Sequence, residues 1–357
     1  MKIQSIHIDK YKVFEDFDID FRNEKGEIQN LIVIAGVNGC GKTTLLKDVI
    51  AGKSGEKIVN ETKKREHFGS IQIVNETSPS EHQIPPLPPV GQTTLGEWEL
   101  PDYISKIKYI PTGQELNSEL ETARIIKKYV DSFVYERELT SGDAYREINL
   151  LLNQLFSGFD IQFGFSGINR DHDTFFTNVN GEKFKINELS SGEKQIVNKI
   201  LALYLDNFQN EVILIDEPEE SLHPSWQYRI APLYQKFADD NNCQIILATH
   251  SPQIISYVKA EQIRLLRNND GKVQVINDFD GSLGWTVDRI LLEIQGVGNR
   301  SPEIEKELDE LSELIHKNEY EDPEFQNRFN KIEALLGPSD RNIILKKLEI
   351  LRKKDKK

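Results

Sequence analysis

Short apolar runs alternate with amphipathic stretches along most of this chain. The first 21 residues contain IQSIHI and FDIDF, where apolar and polar positions alternate, and this pattern predicts two strands around a turn. Continuous apolar runs such as LIVIA are typical of strands that are buried on both faces. Such strands are expected at 31–35, 212–215 and 244–247, a further strand at 106–110, and helices at 42–50, 190–205 and 226–238. This alternation predicts an α/β fold, with a mainly parallel sheet and antiparallel strands at the N-terminus.

Two segments interrupt the alternation. Residues 53–104 are polar and irregular, with four prolines between residues 85 and 89, and we expect a surface insertion there. Residues 114–156 have apolar positions at helical spacing, and three short strands are expected within 160–188. The second segment therefore predicts a helical arm that is inserted into the α/β core.

After Gly284 the pattern becomes helical, with two apolar stripes at helical spacing. Ser301-Pro302 and Asp322-Pro323 are good helix starts, and Gly337-Pro338 is a good helix stop. Two or three helices bury little surface alone, so we expect them to pack on the sheet domain or on a partner. The predicted organisation is a first half of the core at 1–112, an arm at 113–188, a second half of the core at 189–283 and a helical appendage at 284–357.

The composition is typical of a globular protein that can bury a core. The 357 residues are 38% hydrophobic and 29% charged, and no apolar run approaches the ~20 residues that a membrane span needs. The N-terminus lacks the apolar region of a signal peptide. Cys40 and Cys243 cannot form a disulfide framework. We therefore expect a cytoplasmic protein without a membrane partner.

The net charge of −14 is unevenly distributed. Residues 341–357 contain eight Lys or Arg and two acidic residues, so the rest of the chain is more acidic than the total. An acidic body argues against a broad, nonspecific grip on nucleic acid, although it leaves room for a local basic groove. The basic tail can be the solvated face of a last helix or an arm that contacts phosphates.

The strongest chemical signal is Gly36-Val37-Asn38-Gly39-Cys40-Gly41-Lys42-Thr43, which fits the phosphate-loop pattern G-x-x-x-x-G-K-[ST]. Glycines let backbone N–H groups curl around phosphates, and the following helix points its positive end at them. Lys42 would supply a charge to the β- and γ-phosphates, and Thr43 a hydroxyl to Mg²⁺. The residues expected to contact the nucleotide here are Gly36, Asn38, Gly39, Cys40, Gly41, Lys42, Thr43 and Thr44.

A second signal is the strand VILI followed by Asp216 and Glu217. A buried strand that ends in two acids delivers carboxylates to the edge where α/β sheets bind ligands. Asp216 would hold Mg²⁺, directly or through water. Glu217 would accept a proton from the attacking water as general base. Together with the phosphate loop, this pattern predicts nucleotide hydrolysis.

A third signal is Leu189-Ser190-Ser191-Gly192-Glu193-Lys194-Gln195, a turn that opens a helix. By itself it can be an ordinary capping box, with Ser190 at the N-cap and Glu193 three residues later. After a phosphate loop and about twenty residues before an acidic strand, it has the position of an ABC-type signature turn. PEESLHP (218–224) and ATHSP (248–252) complete the order. His250 would then contact the γ-phosphate from a strand end.

With these motifs, residues 1–280 resemble the soluble ABC-type ATPases related to RecF and the OLD family, which are often grouped with the AAA ATPases. DEPEESLHP (216–224) and THSP (249–252) carry most of the resemblance. The helical tail after residues 284–294 is similar to that of ATPases from anti-phage systems such as Septu, which work beside an HNH nuclease. Ser191 stands where the common transporter signature has glycine, a departure from transporters but not from the RecF-like group.

The resemblance implies that two ATP-bound heads close face to face, as a dimer or within a higher oligomer. Each head's signature turn, with Ser190, Ser191, Gly192 and Glu193, would complete the other head's phosphate site, and Ser221 and His223 would lie near the seam. A glutamine that links Mg²⁺ to the arm is assigned to Gln114. The adenine contact is assigned to Tyr11, Lys12 or Phe14, with an ordinary core position as the alternative for Phe14.

Four functions follow from the resemblance: an ATP-gated anti-phage scaffold with a nuclease partner, a RecF-like DNA-repair ATPase that binds DNA directly, a transporter subunit, and a self-contained OLD nuclease. PEESLHP does not resemble the transporter continuation, and about 70 residues after 284 are too few for a nuclease domain. The 145 or so residues between the loop and the signature turn lack the heptads of an SMC coiled coil. Acidic charge and the helical appendage favour the first function, in which nucleic acid is reached through the partner.

Overall fold

The computed structural model describes residues 1–52, 69–75, 78–83, 102–111, 118–159, 163–169, 173–206, 208–269, 271–277, 281–297 and 300–354. The chain divides into two compact units, Met1–Ile290 and Leu291–Lys357. The second unit begins at Leu291, slightly later than the predicted boundary at residue 284. None of the helices in the described ranges combines the length and the apolar composition that a transmembrane segment requires.

The first unit is built on a six-stranded sheet in the order β13-β12-β3-β11-β10-β6. Its strands are β3 (Leu31–Ala35), β6 (Ile107–Ile110), β10 (Val212–Asp216), β11 (Gln244–Thr249), β12 (Ile263–Asn269) and β13 (Lys272–Ile276). Each neighbouring pair is parallel except β12 and β13. Every residue of β3, β10 and β11 is buried, which explains their continuous apolar runs. The prediction of a mainly parallel α/β sheet is confirmed.

A second sheet of the first unit is antiparallel, in the order β2-β1-β4-β5. Its strands are β1 (Lys2–Tyr11), β2 (Phe14–Asp20), β4 (Gly69–Asn75) and β5 (Ser78–Gln83). The prediction of two antiparallel N-terminal strands is confirmed. Within 53–104, where a polar, irregular surface insertion was expected, the structure describes the strands β4 and β5. β4 pairs along β1 and β5 pairs with β4, so both extend the sheet. The polar sequence of β5 hides this pairing, because an outer strand needs few apolar positions.

The two sheets share one apolar core. Buried side chains of β1 and β2, including Ile6, Phe14 and Phe17, belong to the same cluster as Ile32 of β3 and Leu45 after the phosphate loop. Burying large apolar side chains contributes most of the favourable free energy of folding, at roughly 25 cal/mol per Å² of surface removed from water. The antiparallel sheet therefore supports the phosphate-loop segment directly.

The arm consists of two helices and a three-stranded antiparallel sheet. Its elements are α1 (Ser118–Tyr135), α2 (Ser141–Phe156), β7 (Phe163–Ile168), β8 (Thr174–Asn178) and β9 (Lys183–Lys185). The predicted helical stretch 114–156 is interrupted at Thr140, whose hydroxyl accepts a hydrogen bond from the Asp143 backbone in a capping box. The three short strands expected within 160–188 are present.

The remaining helices of the first unit come after the arm in the chain. They are α3 (Ser191–Ile196), a π-helical segment (Val197–Leu201), α4 (Ala202–Leu205), α5 (Pro224–Asp240), α6 (Pro252–Ile255) and α7 (Val287–Arg289). Another π-helical segment, Thr44–Ile50, follows the phosphate loop, and a third spans Ile290–Ile294. Short 3₁₀ turns lie at Asp102–Lys106, Ile186–Glu188 and Ala260–Gln262.

The second unit contains α8 (Pro302–His316), α9 (Pro323–Leu336) and α10 (Arg341–Lys354). The predicted helix starts and stop are observed, since Pro302 and Pro323 open helices and Gly337 ends α9 with φ of +90°. The three helices bury one apolar cluster of their own: Leu308, Leu311, Ile315, Tyr320, Phe325, Phe329, Ile332 and Ile343.

A buried amide connects the two sheets of the first unit. Gln244, at the start of β11, is fully buried. Its Nε2 donates to the Ile3 carbonyl over 2.9 Å, and its Oε1 accepts from the Ile3 backbone N–H over 2.7 Å. Two buried hydrogen bonds thus hold β1 against the first residue of β11.

Replacing Gln244 with leucine should lower the free energy of unfolding by about 2–4 kcal/mol, because both backbone groups of Ile3 lose their partner in a buried setting. Urea denaturation of the full chain measures the change. Gln274→Leu is the matched control, because Gln274 is exposed on β13, and it should shift stability by less than about 0.5 kcal/mol. Equal effects of the two substitutions would contradict the role of the amide.

Candidate functional site

The candidate site lies where three adjacent parallel strands end. β11 is paired with β3 on one side and with β10 on the other. The pairing aligns Ala35 with Thr249 and Asp216 with Ala248. The phosphate loop, the acidic strand end and the segment with His250 therefore leave the sheet at the same edge. Ligands in open α/β sheets bind outside the carboxyl ends of the strands, which is the edge identified here.

Close packing explains why glycine stands at both ends of the phosphate loop. Gly36 has φ of +149°, and a Cβ there would lie 2.5 Å from the Leu266 carbonyl oxygen. Gly41 has φ of +92°, and a Cβ there would lie 2.7 Å from the ring of Phe14. Phe14 is fully buried. The alternative prediction for this side chain, an ordinary core position, is therefore confirmed. Its ring supports the loop from the protein interior.

Lys42 is held inside the phosphate loop. Only 6% of its surface is exposed, and its Nζ donates to the carbonyl oxygens of Gly36 over 2.8 Å and Val37 over 3.1 Å. The backbone carbonyls thus compensate for the desolvation of the ammonium group. The ammonium is therefore in place to exchange carbonyl partners for phosphate oxygens.

The other loop residues fall into an exposed and a buried group. Asn38 and Gly39 are exposed at the outer part of the loop, Thr43 is exposed, and Thr44 is half-buried. Cys40 is buried, and burial raises the pKa of its thiol. A buried, protonated thiol is unreactive, so Cys40 acts here as a small packing residue.

Asp216 has the surroundings of a metal ligand. The hydroxyl of Thr43 hydrogen-bonds to its carboxyl group, and the hydroxyl of Tyr109 donates to its Oδ2 over 3.3 Å. Its Oδ1 is buried and has no hydrogen-bond partner among the described residues. An oxygen left without a partner in a buried site is costly unless a cation or water reaches it. Asp216 and Thr43 therefore fit a hard cation such as Mg²⁺.

The electrostatics at Asp216 point the same way. Burial raises the pKa of the Asp216 carboxyl above its usual value, and the nearby carboxylate of Glu217 adds to this effect. The hydrogen bonds from Thr43 and Tyr109 and the charge of Lys199 act in the opposite direction. The neighbouring groups of the chain therefore compensate only part of the cost of ionising Asp216, and it is the ionised form that binds a metal.

Glu217 is presented in a strained backbone conformation. Its φ is +44°, in the left-handed region, and its backbone N–H donates to the Ala248 carbonyl over 2.9 Å. Its side chain is 34% exposed, and its Oε1 lies 3.6 Å from Nδ1 of His250. Strain of this kind persists only where the surroundings hold it, and it is concentrated at functional sites. The structure thus brings the two predicted catalytic residues together.

Glu219 organises the segment that carries His250, a role that the motif by itself did not reveal. This carboxylate is buried, and its Oε1 accepts from Thr249 Oγ1 over 2.6 Å and from the backbone N–H groups of His250 and Ser251 over 2.9 and 3.1 Å. His250 Nδ1 lies 3.5 Å from the same oxygen. The side chain of His250 is 46% exposed, so it can reach a ligand while its backbone is fixed.

Lys199 is a second residue that sequence reasoning missed. It is 4% exposed, and its Nζ donates to the carbonyl oxygens of Glu217 over 3.0 Å and Asp216 over 3.4 Å. Burial lowers the pKa of its ammonium group, and the surrounding carboxylates of Glu220 and Glu219 oppose this shift. A lone lysine in an amphipathic helix is usually exposed, so no sequence signal marked it.

The signature turn is a well-formed helix start that remains accessible. The Ser190 hydroxyl accepts from the Glu193 backbone, and the Glu193 carboxylate accepts from the Ser190 backbone. The capping reading is therefore correct as a local description. Ser190 and Ser191 are exposed. Gly192 is buried, and a Cβ there would lie 3.1 Å from the Ser221 carbonyl and 3.2 Å from the Trp226 ring. The turn thus packs against the loop with Ser221, whose φ is +60°.

Of the four remaining predicted residues, the structure describes Tyr11, Lys12 and His223 but not Gln114. Lys12 and Tyr11 contact the helix after the phosphate loop, where Lys12 Nζ and the Tyr11 hydroxyl both donate to Asp48 Oδ2, over 3.0 and 3.3 Å. Their proposed contact with adenine stays a prediction. His223 caps α5 and is exposed. Gln114 lies outside the described residues, although β6, which precedes it, brings Tyr109 to Asp216.

Two family models match separate parts of this chain. Residues 5–85 match a model described as "AAA domain". Residues 89–256 match one described as "AAA domain, putative AbiEii toxin, Type IV TA system". The two ranges contain the phosphate loop, the signature turn, the acidic strand and the segment with His250.

Two proteins from other organisms are similar to this chain in sequence. The chain is 31% identical over 251 residues to the Septu protein PtuA of Bacillus thuringiensis, covering 63% of this chain and 60% of that protein. It is 31% identical over 185 residues to the "Retron Ec83 probable ATPase" of Escherichia coli, covering 48% of this chain and 33% of that protein. The chain thus spans from a third to three fifths of these relatives' lengths.

A solved structure has the same fold. The SMC head in complex with the C-terminal winged-helix domain of ScpA superposes with a TM-score of 0.50 at 13% identity, over 77% of this chain and 98% of that chain. At this level of identity the likeness concerns the fold alone. The head architecture predicted from the motifs is therefore confirmed.

Asp216→Asn should stabilise the chain in the absence of nucleotide and Mg²⁺. Because the folded-state pKa of Asp216 is raised, its ionised form costs stability above that pKa, and the cost disappears as the pH falls through it. The variant should therefore be more stable than the wild type near pH 8, and the difference should shrink as the pH falls through the raised pKa of the folded state. Urea denaturation at a series of pH values from 8 downward measures this.

Asp240→Asn, at an exposed position of α5, is the control and should show no such pH-dependent difference. Addition of Mg²⁺ should stabilise the wild type but not Asp216→Asn. A variant that is less stable than the wild type near pH 8 would contradict the proposed electrostatics of the site.

Proposed function

Because the chain has the fold of ABC-like P-loop ATPases and is homologous to Septu and retron ATPases, we propose that it binds and hydrolyses ATP as the ATP-gated scaffold of an anti-phage complex. The observation that carries the proposal is the meeting of three elements at one sheet edge. These are the phosphate loop with Lys42, the carboxylate of Asp216 with its unpartnered oxygen, and the pair Glu217 and His250.

Each residue has a chemical role in this proposal. Lys42 and the N–H groups of the loop hold the β- and γ-phosphates, and Thr43 and Asp216 hold Mg²⁺. A Mg²⁺ ion held there would neutralise charge that develops on the phosphate oxygens. Glu217 orients the attacking water and accepts its proton. His250, fixed through Glu219, contacts the γ-phosphate and registers its loss.

The exposed signature turn supports a closed arrangement of two heads. Ser190 and Ser191 present hydroxyls at the N-terminus of α3, whose partial positive charge attracts anions. The capping box satisfies backbone groups of the turn, and the exposed serine hydroxyls can still donate to the γ-phosphate of a second copy. We therefore propose an ATP-bound dimer, alone or within a higher oligomer.

The C-terminal helices are proposed to dock the partner subunit, a nuclease of the HNH type. Four apolar residues are exposed on the last helix: Ile344, Leu345, Leu348 and Leu351. They follow each other at helical spacing, and Arg341 and Arg352 are exposed at the ends of the same helix. Basic side chains at both ends would repel the same helix of a second copy, so the face suits a different chain with carboxylates. Nucleic acid would then be contacted through this partner in the cytoplasm.

Glu217→Gln should keep ATP affinity and slow hydrolysis by about two orders of magnitude or more, because the amide cannot accept the proton of the water. Labelled-nucleotide binding and steady-state phosphate release measure the two effects. Lys42→Ala is the contrasting variant, which should lose ATP binding itself. Turnover near the wild-type rate in Glu217→Gln would show that another residue is the base.

Leu348→Glu should weaken binding of the co-expressed HNH nuclease subunit by about tenfold or more, and removal of residues 296–357 should abolish it. Leu150→Glu, at an exposed position of α2, should leave the affinity unchanged. Titration of purified subunits measures both, and ATP turnover should be equal in both variants. Direct DNA binding with steep salt dependence and no bound subunit would instead favour the RecF-like repair ATPase.

A further inference from the structure

Lys199 stands out among the buried charged groups because the roles assigned above leave it unused. It lies in the π-helical segment Val197–Leu201, which directly continues α3, the helix opened by the signature turn. With 4% of its surface exposed, the residue has no access to nucleotide from solvent. A lysine ammonium group is rarely buried so deeply unless hydrogen-bond partners compensate for the water that it loses.

The partners of Lys199 are the backbone of the acidic strand end. Its Nζ donates to the carbonyl oxygen of Glu217 over 3.0 Å and to that of Asp216 over 3.4 Å. The Glu217 carbonyl also accepts from the Glu220 N–H over 3.1 Å, which closes the turn after the strand. One side chain therefore holds the two peptide groups that carry the candidate metal ligand and the candidate base.

The backbone conformation of Glu217 explains why the contact with Lys199 is needed. Its φ of +44° is unfavourable for a residue with a side chain, so the backbone must be held from outside. The Ala248 carbonyl accepts from the Glu217 N–H, and Lys199 donates to the Glu217 C=O. Both backbone polar groups of Glu217 are thus occupied, and the Glu220 N–H shares the carbonyl with Lys199, so loss of the Lys199 contact would weaken the hold on this unfavourable φ.

We propose that Lys199 is a positioning residue that couples the signature helix to the general base. It acts from the interior, through the carbonyl oxygens of Asp216 and Glu217, and it does not touch substrate. The chain of contacts runs from the capped turn at Ser190 through α3 to Lys199, and from there to Glu217. Engagement of the signature turn by a second head is thereby transmitted to the residue that orients the water. This inference rests on the proposed ATPase function.

The test compares Lys199→Met with the wild type and with Lys199→Arg in the full chain. Lys199→Met keeps the length of the side chain but removes the donors, and kcat should fall by about 10²-fold, as expected for a misplaced catalytic group. The Kd for ATP should stay within about twofold, since the phosphate loop is untouched. Lys199→Arg should recover at least about a tenth of the wild-type kcat, because it restores charged donors.

A measurement that does not depend on turnover examines the same contact. Hydrogen exchange of the backbone amides in residues 216–223 should accelerate about tenfold in Lys199→Met, while exchange in residues 36–44 should be unchanged. Lys236→Met, at an exposed position of α5, is the control and should alter neither kcat nor exchange. If Lys199→Met does not fold, Lys199→Gln, which retains one donor, is measured with the same expected separation of kcat from Kd.

Three results would overturn the proposal. The first is a kcat in Lys199→Met equal to that of the wild type, and the second is unchanged exchange in 216–223. The third is a parallel loss of ATP binding and of kcat, which would indicate a merely structural role. A wild-type chain that binds ATP but does not hydrolyse it would overturn the proposed function itself, and Lys199 would lose its assigned role with it.

Discussion

The buried and incompletely paired carboxylate of Asp216 is the constraint around which the candidate site is arranged. Burial raises its pKa, and one of its oxygens has no partner among the described residues. The hydroxyls of Thr43 and Tyr109 and the charge of Lys199 offset only part of the cost of ionising it. A cation brought by a nucleotide would supply the missing partner. Binding of such a cation would therefore stabilise the folded chain, as the proposed ATP-gated function requires.

Two buried lysines hold the phosphate loop and the acidic strand end that carries this carboxylate. Lys42 donates to carbonyls of the phosphate loop, and Lys199 donates to carbonyls of the acidic strand end. In both cases backbone oxygens compensate a desolvated ammonium group, but the consequences differ. The partners of Lys42 can be exchanged for phosphate oxygens, whereas those of Lys199 belong to the peptide units that orient Asp216 and Glu217. In the proposed function one lysine therefore serves nucleotide binding, and the other serves the geometry of the reaction.

Local motifs could be predicted because their chemistry is contained in a few consecutive residues. The phosphate loop, the acidic strand end and the signature turn each specify a backbone shape and a set of polar groups, and the structure places them as one expects for an ABC-like head. What could not be predicted depends on partners distant in the chain. β5 pairs through β4 with β1, although its own sequence has no strand pattern, and Phe14 packs under Gly41. Glu219 and Lys199 acquire their roles only from the groups that surround them.

The sequence by itself determined the order of the chemical elements and the burial of the strands that carry them, because both depend on residue type and spacing along the chain. Only the tertiary structure decided how these elements meet. The parallel register of β3, β11 and β10 brings the loop, Asp216 and His250 to one edge, although they are separated by up to about 200 residues in the chain. Burial then decided which charged side chains are candidate metal ligands, which hold the backbone in place, and which are solvated. The physical reason is that desolvation and hydrogen bonding depend on neighbours in space, which residue identity alone does not specify.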